Sequence, residues 1–445
     1  MALVNGRDSG GVSTALTLEP YWLEGLPALA PTSPELPERT DVMVIGSGYT
    51  GLNAAIETAR GGRSTLVIDS GTPGAGCSTR NGGQISTSVK PSLAKLSAKY
   101  GKRQAQAIRR EGENALAWIE ERIQAEGIAC DFRRAGRFHA AHSPDSYEEL
   151  CREAEILGRD EGIEAHPVPR REQRAEIGTD AYFGGLVFPR HAALQPARYH
   201  RGLLAAASGA GAHVVGHTTA LTIDRRPDGF EVRTSRGVVK ARDVIVATNG
   251  YSGPLVPWLQ RRIIPIGSYI IATDPLPCAL VDRLMPTDRI ASDTCKVVYY
   301  YRASPDRTRI LFGGRVSAAE QDPKVSGPRL REDMCRIFPD LRDYAITHSW
   351  MGTVAYTFDE LAHTGVHDGI HYAMGYCGSG VSMASYLGMR TGQKVLGLAE
   401  GATAFDDLPF QTRPLYTGKP WFLPPVVAWY RWRDRMQHRM ARAAQ

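Results

Sequence analysis

DVMVIGSGYTGLNAAIETARGGRSTLVID, residues 41–69, decides the fold. DVMVIG is an apolar strand, SGYTG a tight glycine loop, LNAAIETARGG a helix and STLVID a second strand. Leu52, Ala55, Ile56 and Ala59 recur at helical 3/4 spacing, and Gly61-Gly62 end the helix. Gly46, Gly48 and Gly51 stand in G-x-G-x-x-G order between strand and helix. Gly46 permits the tight turn, Gly48 lets backbone N–H groups approach a pyrophosphate, and Gly51 lets helix and strand pack closely. The helix N-terminus then turns its positive end to the anion. Asp69, 18 residues after Gly51, closes the second strand where an acid meets ribose hydroxyls. Arg63 comes too early to read a 2′-phosphate instead. Together these features predict a dinucleotide site on a Rossmann-type unit.

The 445 residues suffice for two or three domains. No apolar run approaches the roughly 20 residues of a membrane span. The start, MALVNGRDSGG, has neither a basic nor an apolar leader pattern, so no cleaved secretion signal is expected. Seven scattered cysteines, never in C-x-x-C spacing, argue against a disulfide framework or zinc site and predict a cytoplasmic protein. The net charge of +6 is concentrated: from Gln411 onward there are seven Lys or Arg and one acid, and the remainder is neutral. A nucleic-acid surface is not supported. The twelve histidines show no metalloenzyme spacing, and there is no internal repeat.

Residues 1–38 read as an extended Pro/Leu/Ser-rich arm that packs through Tyr21 and Trp22. Residues 93–165 are mostly helical in pattern. HVVGHTTALTIDRR, GFEVRTSRGVVKA and RDVIVATNG read as strands; IIPIGSYIIATDPLP, KVVYYYRAS and RILFGGRV form a second strand-rich block. IHYAMG, YCGSG and VSMASYLGMRTGQKVLGLAEG return to strand, loop and helix. A helix N-terminus that late in the chain suits the partial negative charge of a flavin's pyrimidine edge.

The fingerprint, GCSTRNGGQ (76–84), ATNGY (247–251), W-x-G-x-V-x-Y-T-x-D (350–359) and GYCGSGV (375–381), in that order, resemble the D-amino-acid-oxidase-like FAD-dependent oxidoreductases. RNGGQ resembles the gamma-glutamylputrescine oxidase branch among them. The resemblance runs from about Asp41 to Leu398. It implies an α/β fold: a discontinuous Rossmann-type FAD-binding domain (39–92, 190–260 and 345–400) and an α+β substrate domain on a mixed sheet (93–189 and 261–344). The arm (1–38) and a basic aromatic tail (401–445) lie outside these. By position, Gly46, Gly48, Tyr49, Thr50, Gly51 and Asp69 hold the AMP and pyrophosphate part of FAD. Ser78, Thr79, Arg80, Asn81, Gly82, Gly83 and Gln84 run along pyrophosphate and ring. Ala220 or Leu221 meets adenine, and Gly378, Gly380 and Val381 meet the ring's carbonyl edge. Sarcosine oxidases attach flavin through a cysteine where Val354 stands here, so non-covalent FAD is expected. Ser382 stands where they carry a carboxylate-binding lysine, which disfavours a simple N-methyl amino acid. Cys77 is expected to be a spacer.

The implied chemistry is oxidation of a primary or secondary amine, a polyamine derivative or amino-acid-like amine, to an imine by hydride transfer to flavin. Dioxygen then re-oxidises the flavin and yields peroxide. The alternatives are a dehydrogenase passing electrons to another acceptor, and a flavoprotein with a structural or partner-binding role. An NAD(P)-dependent reductase is disfavoured because a second G-x-G-x-x-G unit is missing. No metal is required. Tyr269, Tyr299, Tyr301, Arg315 and Trp350 are the substrate-pocket candidates, an aromatic lining suiting an amine. Alternation along YYY allows only one or two of these tyrosines to face the flavin. The tail, with Trp421, Trp429 and Trp432 among arginines, is expected to be a helix packed by its aromatic face on the same chain, membrane-surface contact being the less favoured reading.

Overall fold

The strand–loop–helix–strand of residues 41–69 recurs in the computed structural model, which describes residues 11–29, 35–87, 89–314 and 322–443, with side chains to residue 437. Strand Arg39–Ile45, helix Tyr49–Arg60 and strand Thr65–Ile68 form a βαβ unit whose strands pair in parallel, Val44 opposite Val67. Its strands carry Val42, Met43, Val44, Leu66, Val67 and Ile68, each at most 1% exposed, as a sheet covered on both faces requires. Six strands run in the order Ala220–Arg226, Gly229–Thr234, Gly237–Val246, Arg39–Ile45, Thr65–Ile68, His213–Val215. Strand Ile370–Met374 joins Gly237–Val246 in parallel, and His363–His367 pairs with it to complete eight. The late helix Gly380–Val395 lies on helix Tyr49–Arg60 so closely that a Cβ at Gly388 would strike the Thr50 backbone.

A nine-stranded mixed sheet stands beside this unit. Its order is Val12–Thr17, Ile346–Tyr356, Ile264–Thr273, Ile310–Gly314, Tyr300–Ala303, Ile290–Asp293, Arg137–Ala140, Gly184–Phe188, His166–Pro169. The arm thus contributes an edge strand, and its Trp22 is fully buried, donating from Nε1 to the Asn81 carbonyl at 2.7 Å. Strand Arg137–Ala140 interrupts the stretch that reads as mostly helical. Strand Ile346–Tyr356 pairs along its length with Ile264–Thr273.

Register decides what this sheet shows to each side. Tyr300 sits opposite Gly313, Gly313 opposite Ile270, and Ile270 opposite Trp350, so these share one face. Ser292 lies opposite Tyr300 and His139 opposite Ser292, extending the same face. The other face carries Tyr269, Ile271, Tyr301 and Phe312, buried against Leu330 and Met334 of helix Pro323–Ile337.

The tail does form a helix, Leu423–Ala443, but its tryptophans do not pack it down. Trp421, Trp429 and Trp432 are 68%, 57% and 54% exposed. Leu423, Val427 and Asp434 are the buried residues instead. The Asp434 carboxylate accepts from the backbone N–H groups of Lys296 and Val297 at 3.2 and 3.0 Å.

Candidate active site

A cavity of about 1690 Å³ runs between the two sheets, from Asp69 and Leu221 past Gly378–Val381 to Arg137 and Phe188. Single-ligand pockets occupy ~300–1,000 Å³, so this space accommodates more than one small molecule. Two helix N-termini, those of Tyr49–Arg60 and Gly380–Val395, begin at its wall.

At the nucleotide end Gly46 and Gly51 of the fingerprint are required for separate physical reasons. Gly46 has φ +105°, which other residues rarely adopt, and a Cβ on Gly51 would collide with the Gly46 carbonyl. Asp69 accepts from Ser47 N and Oγ at 2.9 and 2.7 Å and from Gly71 N at 3.0 Å. Its carboxylate therefore braces the turn and retains a further acceptor site. Tyr49 meets the cavity near its backbone; its N–H donates to Ser78 Oγ at 3.0 Å, while its hydroxyl donates to the Pro196 carbonyl in the core. Thr50 Oγ1 pairs with Tyr376 Oη at 2.7 Å, tying the first loop to the late one.

GCSTRNGGQ lines the middle of the cavity, but several side chains serve the loop itself. Asn81 donates from Nδ2 to the Cys77 and Ser78 carbonyls and accepts from Gly83 N at 2.8 Å, which consumes its amide within the loop. Arg80 donates from Nε to the Ala75 carbonyl and pairs with Glu19 of the arm at 3.7 Å. Thr79 donates to the Gly74 carbonyl, and neither Thr79 nor Gly83 nor Gly51 is part of the wall. Gly83 has φ +65° and packs on the Leu194 carbonyl. Gly82 and Gln84 do reach the wall; Gln84 is held by the Tyr301 carbonyl at 3.1 Å. Ser78, Ala220, Leu221, Gly378, Gly380 and Val381 also line the space. Burial pushes the Cys77 thiol up to about 12, so it stays protonated.

The substrate-pocket candidates fare differently. Tyr269 and Tyr301, each 1% exposed, belong to the core behind the sheet. Tyr299 turns to Asp333, donating at 2.8 Å. Trp350 has the correct face but lies deeper, donating to the Arg80 carbonyl at 3.0 Å and packing on Trp22. Arg315 lies outside the described residues. Of the three tyrosines in YYY, the one that reaches the cavity is Tyr300, whose hydroxyl pairs with Ser268 at 2.8 Å. Strand parity excludes both of its neighbours.

Five further residues at the cavity or its loops were not among the expected site residues. Lys90 sits over the Tyr356 ring, Nζ 4.9 Å from its centroid, beside Gly378. Burial works against its charge, but Tyr356, Cys377 and Glu360 outweigh burial and raise its pKa. Asn249 of ATNGY, with φ +43°, accepts from Gly375 N at 2.9 Å and so positions the late loop. At the far end Arg137 donates from Nε to Ser292 Oγ at 2.9 Å, and that hydroxyl pairs with His139 Nδ1 at 2.9 Å. Burial, then the nearby Arg137 charge, pushes His139 down to about 3, leaving it neutral. Among the described residues there is no metal-binding cluster, and no helix is long and apolar enough to cross a membrane. All seven cysteines are unbridged.

The model of the family described as DAO, FAD dependent oxidoreductase, matches residues 41–393. The chain belongs to that family. DAO-family relatives support the same assignment over nearly the whole length. Probable oxidoreductase OrdL of Rhizobium meliloti (strain 1021) is 30% identical over 422 residues, 93% of this chain and 97% of that protein. Gamma-glutamylputrescine oxidoreductase of Escherichia coli (strain K12) is 31% identical over 405 residues, 89% and 93% of the two chains. The crystal structure of glycine oxidase from Geobacillus kaustophilus superposes with a TM-score of 0.71 at 18% identity, covering 85% of this chain and 99% of that one, which shows the shared fold. This DAO-family chain is an FAD-dependent oxidoreductase, and its cavity suits the cofactor: glycine turns, an acid at the second strand and two helix N-termini lie along one undivided space.

Proposed function

We propose that this protein oxidises a primary or secondary amine, a polyamine derivative or an amino-acid-like amine, to the imine, with dioxygen as final acceptor and hydrogen peroxide as product. FAD, when bound, supplies the two-electron acceptor. The observation that carries the reading is the continuity of the cavity from the fingerprint, past the late glycine loop, onto the sheet face bearing Ser268 and Tyr300. Relatives named gamma-glutamylputrescine oxidoreductase and glycine oxidase agree with amine chemistry.

In this reading Gly46, Gly48, the Tyr49 and Thr50 backbone and Asp69 hold the nucleotide end. Ser78, Gly82 and Gln84 run along the middle, Ala220 and Leu221 border adenine, and Gly378, Gly380 and Val381 meet the ring. Lys90 and the N-terminus at Gly380 place positive charge on one side of the cavity, where reduction leaves negative charge. The paired hydroxyls of Ser268 and Tyr300 orient the amine, and the walls exclude water. Val354 at the wall offers no thiol for attachment at that position, and the reading takes FAD as held non-covalently. The division into an FAD-binding and a substrate domain is likewise proposed, with residues 346–356 moved to the substrate side because they pair in its sheet.

Anaerobic mixing of purified holoprotein with polyamines, acylated polyamines and amino acids tests this. Loss of the flavin band near ~450 nm with at least one amine is expected. A flavin that no amine bleaches would favour the structural role. Bleaching that air fails to reverse would favour a dehydrogenase with another acceptor.

A further inference from the structure

Helix Leu423–Ala443 has two opposed faces. Leu423, Val427 and Asp434, at i, i+4 and i+11, are buried against the rest of the chain. Gln437 continues that seam, its Oε1 pairing with His142 Nε2 at 3.1 Å. Leu423, Val427 and Tyr430 also border the cavity, so this helix forms part of its wall. Half a turn away Pro425, Trp429, Trp432 and Met436, at i, i+4, i+7 and i+11, are exposed. Trp421, just before the helix, is exposed as well. An outward stripe of two tryptophans and a methionine marks an interaction surface, unlike apolar residues exposed singly.

Charge frames this stripe. The helical period puts Arg433 along one edge and Arg431 and Arg435 along the other. Burial first, then the neighbouring Arg435 and Arg329 charges, lower the Arg431 pKa, a sign of crowded like charge. From Gln411 onward there are seven Lys or Arg, and the only acidic side chain is Asp434. That carboxylate faces inward, spent on the Lys296 and Val297 N–H groups. The outward surface of the tail is therefore cationic, and it lies beyond residue 393, where the family match ends.

We propose that the protein docks on an anionic lipid surface through the outward face of helix Leu423–Ala443. Trp429, Trp432 and Met436 enter the headgroup boundary, and the flanking arginines meet lipid phosphates. A second copy of this chain fits poorly, because a twofold contact sets the same cations face to face with no acid between them. Nucleic acids are met by polar groups at phosphates and base edges. Here the centre of the contact is apolar and the cations flank it, the layout of a helix lying in a bilayer interface. The inference goes beyond the amine-oxidation reading and does not depend on it.

Flotation of the holoprotein with vesicles tests this. Phosphatidylcholine vesicles containing about 40% phosphatidylglycerol are expected to bind it at least about 10-fold better than phosphatidylcholine alone. Raising salt from ~0.1 to ~0.5 M should remove most of that gain. Trp429→Ser combined with Trp432→Ser should lower partitioning by on the order of 10-fold, and Arg433→Gln combined with Arg435→Gln by a similar factor. Flavin absorbance and Tm, read on each double variant, separate lost docking from lost folding, and the lipid and salt comparison needs wild type alone. Equal partitioning to both vesicle types, no partitioning to either, or full partitioning by the tryptophan variant overturns the proposal. So does a protein that ignores vesicles but binds single-stranded DNA, or self-associates in sedimentation, through the same tryptophans.

Discussion

Tyr300 and Tyr301 are neighbours in the chain and differ in everything that follows from the pleat. Tyr300→Phe removes a hydroxyl pair at the cavity and should lower kcat/KM for amines about 3–10-fold with little change in Tm. Tyr301→Ala empties a core position stacked on Phe312 at 5.5 Å and should cost about 3–5 kcal/mol in denaturant unfolding. Asp293 is buried, and burial pushes its carboxyl up to about 7. The native state therefore holds a proton that the unfolded chain releases near pH 4. The stability this confers is complete below pH ~4 and lost as pH rises through ~7. Asp293→Asn should flatten that fall, so its Tm relative to wild type rises between pH 5 and pH 8. Cys77 is a protonated thiol, and acid precipitation should release FAD from wild type and Cys77→Ala alike. The tyrosine error has a simple cause: composition marks a strand as aromatic, but only its partners reveal which residues face which side. Lys90, Arg137 and Ser292 carry no motif at all, because contacts between residues more than a hundred positions apart bring them to the cavity wall.

Among elements, the βαβ unit was legible because its signals are local: strand, glycine turn and amphipathic helix occupy 29 consecutive residues. Strand Arg137–Ala140 was not, since a four-residue strand between long charged helices leaves no periodicity to count. On helix Leu423–Ala443 the tryptophans suggested the packed face, yet the inward seam holds an acid. Asp434 works as a bracket for two backbone N–H groups, a role that reads as mere polarity in sequence. Asp434→Ala should leave those groups unsatisfied and loosen the helix, seen as faster amide exchange over 423–437 with little loss of global stability. Gly388 marks the opposite extreme, a place where only backbone fits. Gly388→Val forces apart helices Tyr49–Arg60 and Gly380–Val395 and should abolish FAD retention on gel filtration.

Across the molecule, the architecture implied by the ordered motifs holds: an α/β nucleotide-binding sheet beside a mixed sheet, with a cavity between them. Motif order was informative because the cavity wall draws on segments spread from Ile45 to Val381. The bond between Thr50 and Tyr376 spans 326 positions, and that between Asn249 and Gly375 spans 126. A ribosome must therefore synthesise nearly the entire polypeptide before the late loop can close the nucleotide pocket. Cofactor uptake is thereby confined to the finished chain, and nascent chains arrested before residue 370 should emerge colourless.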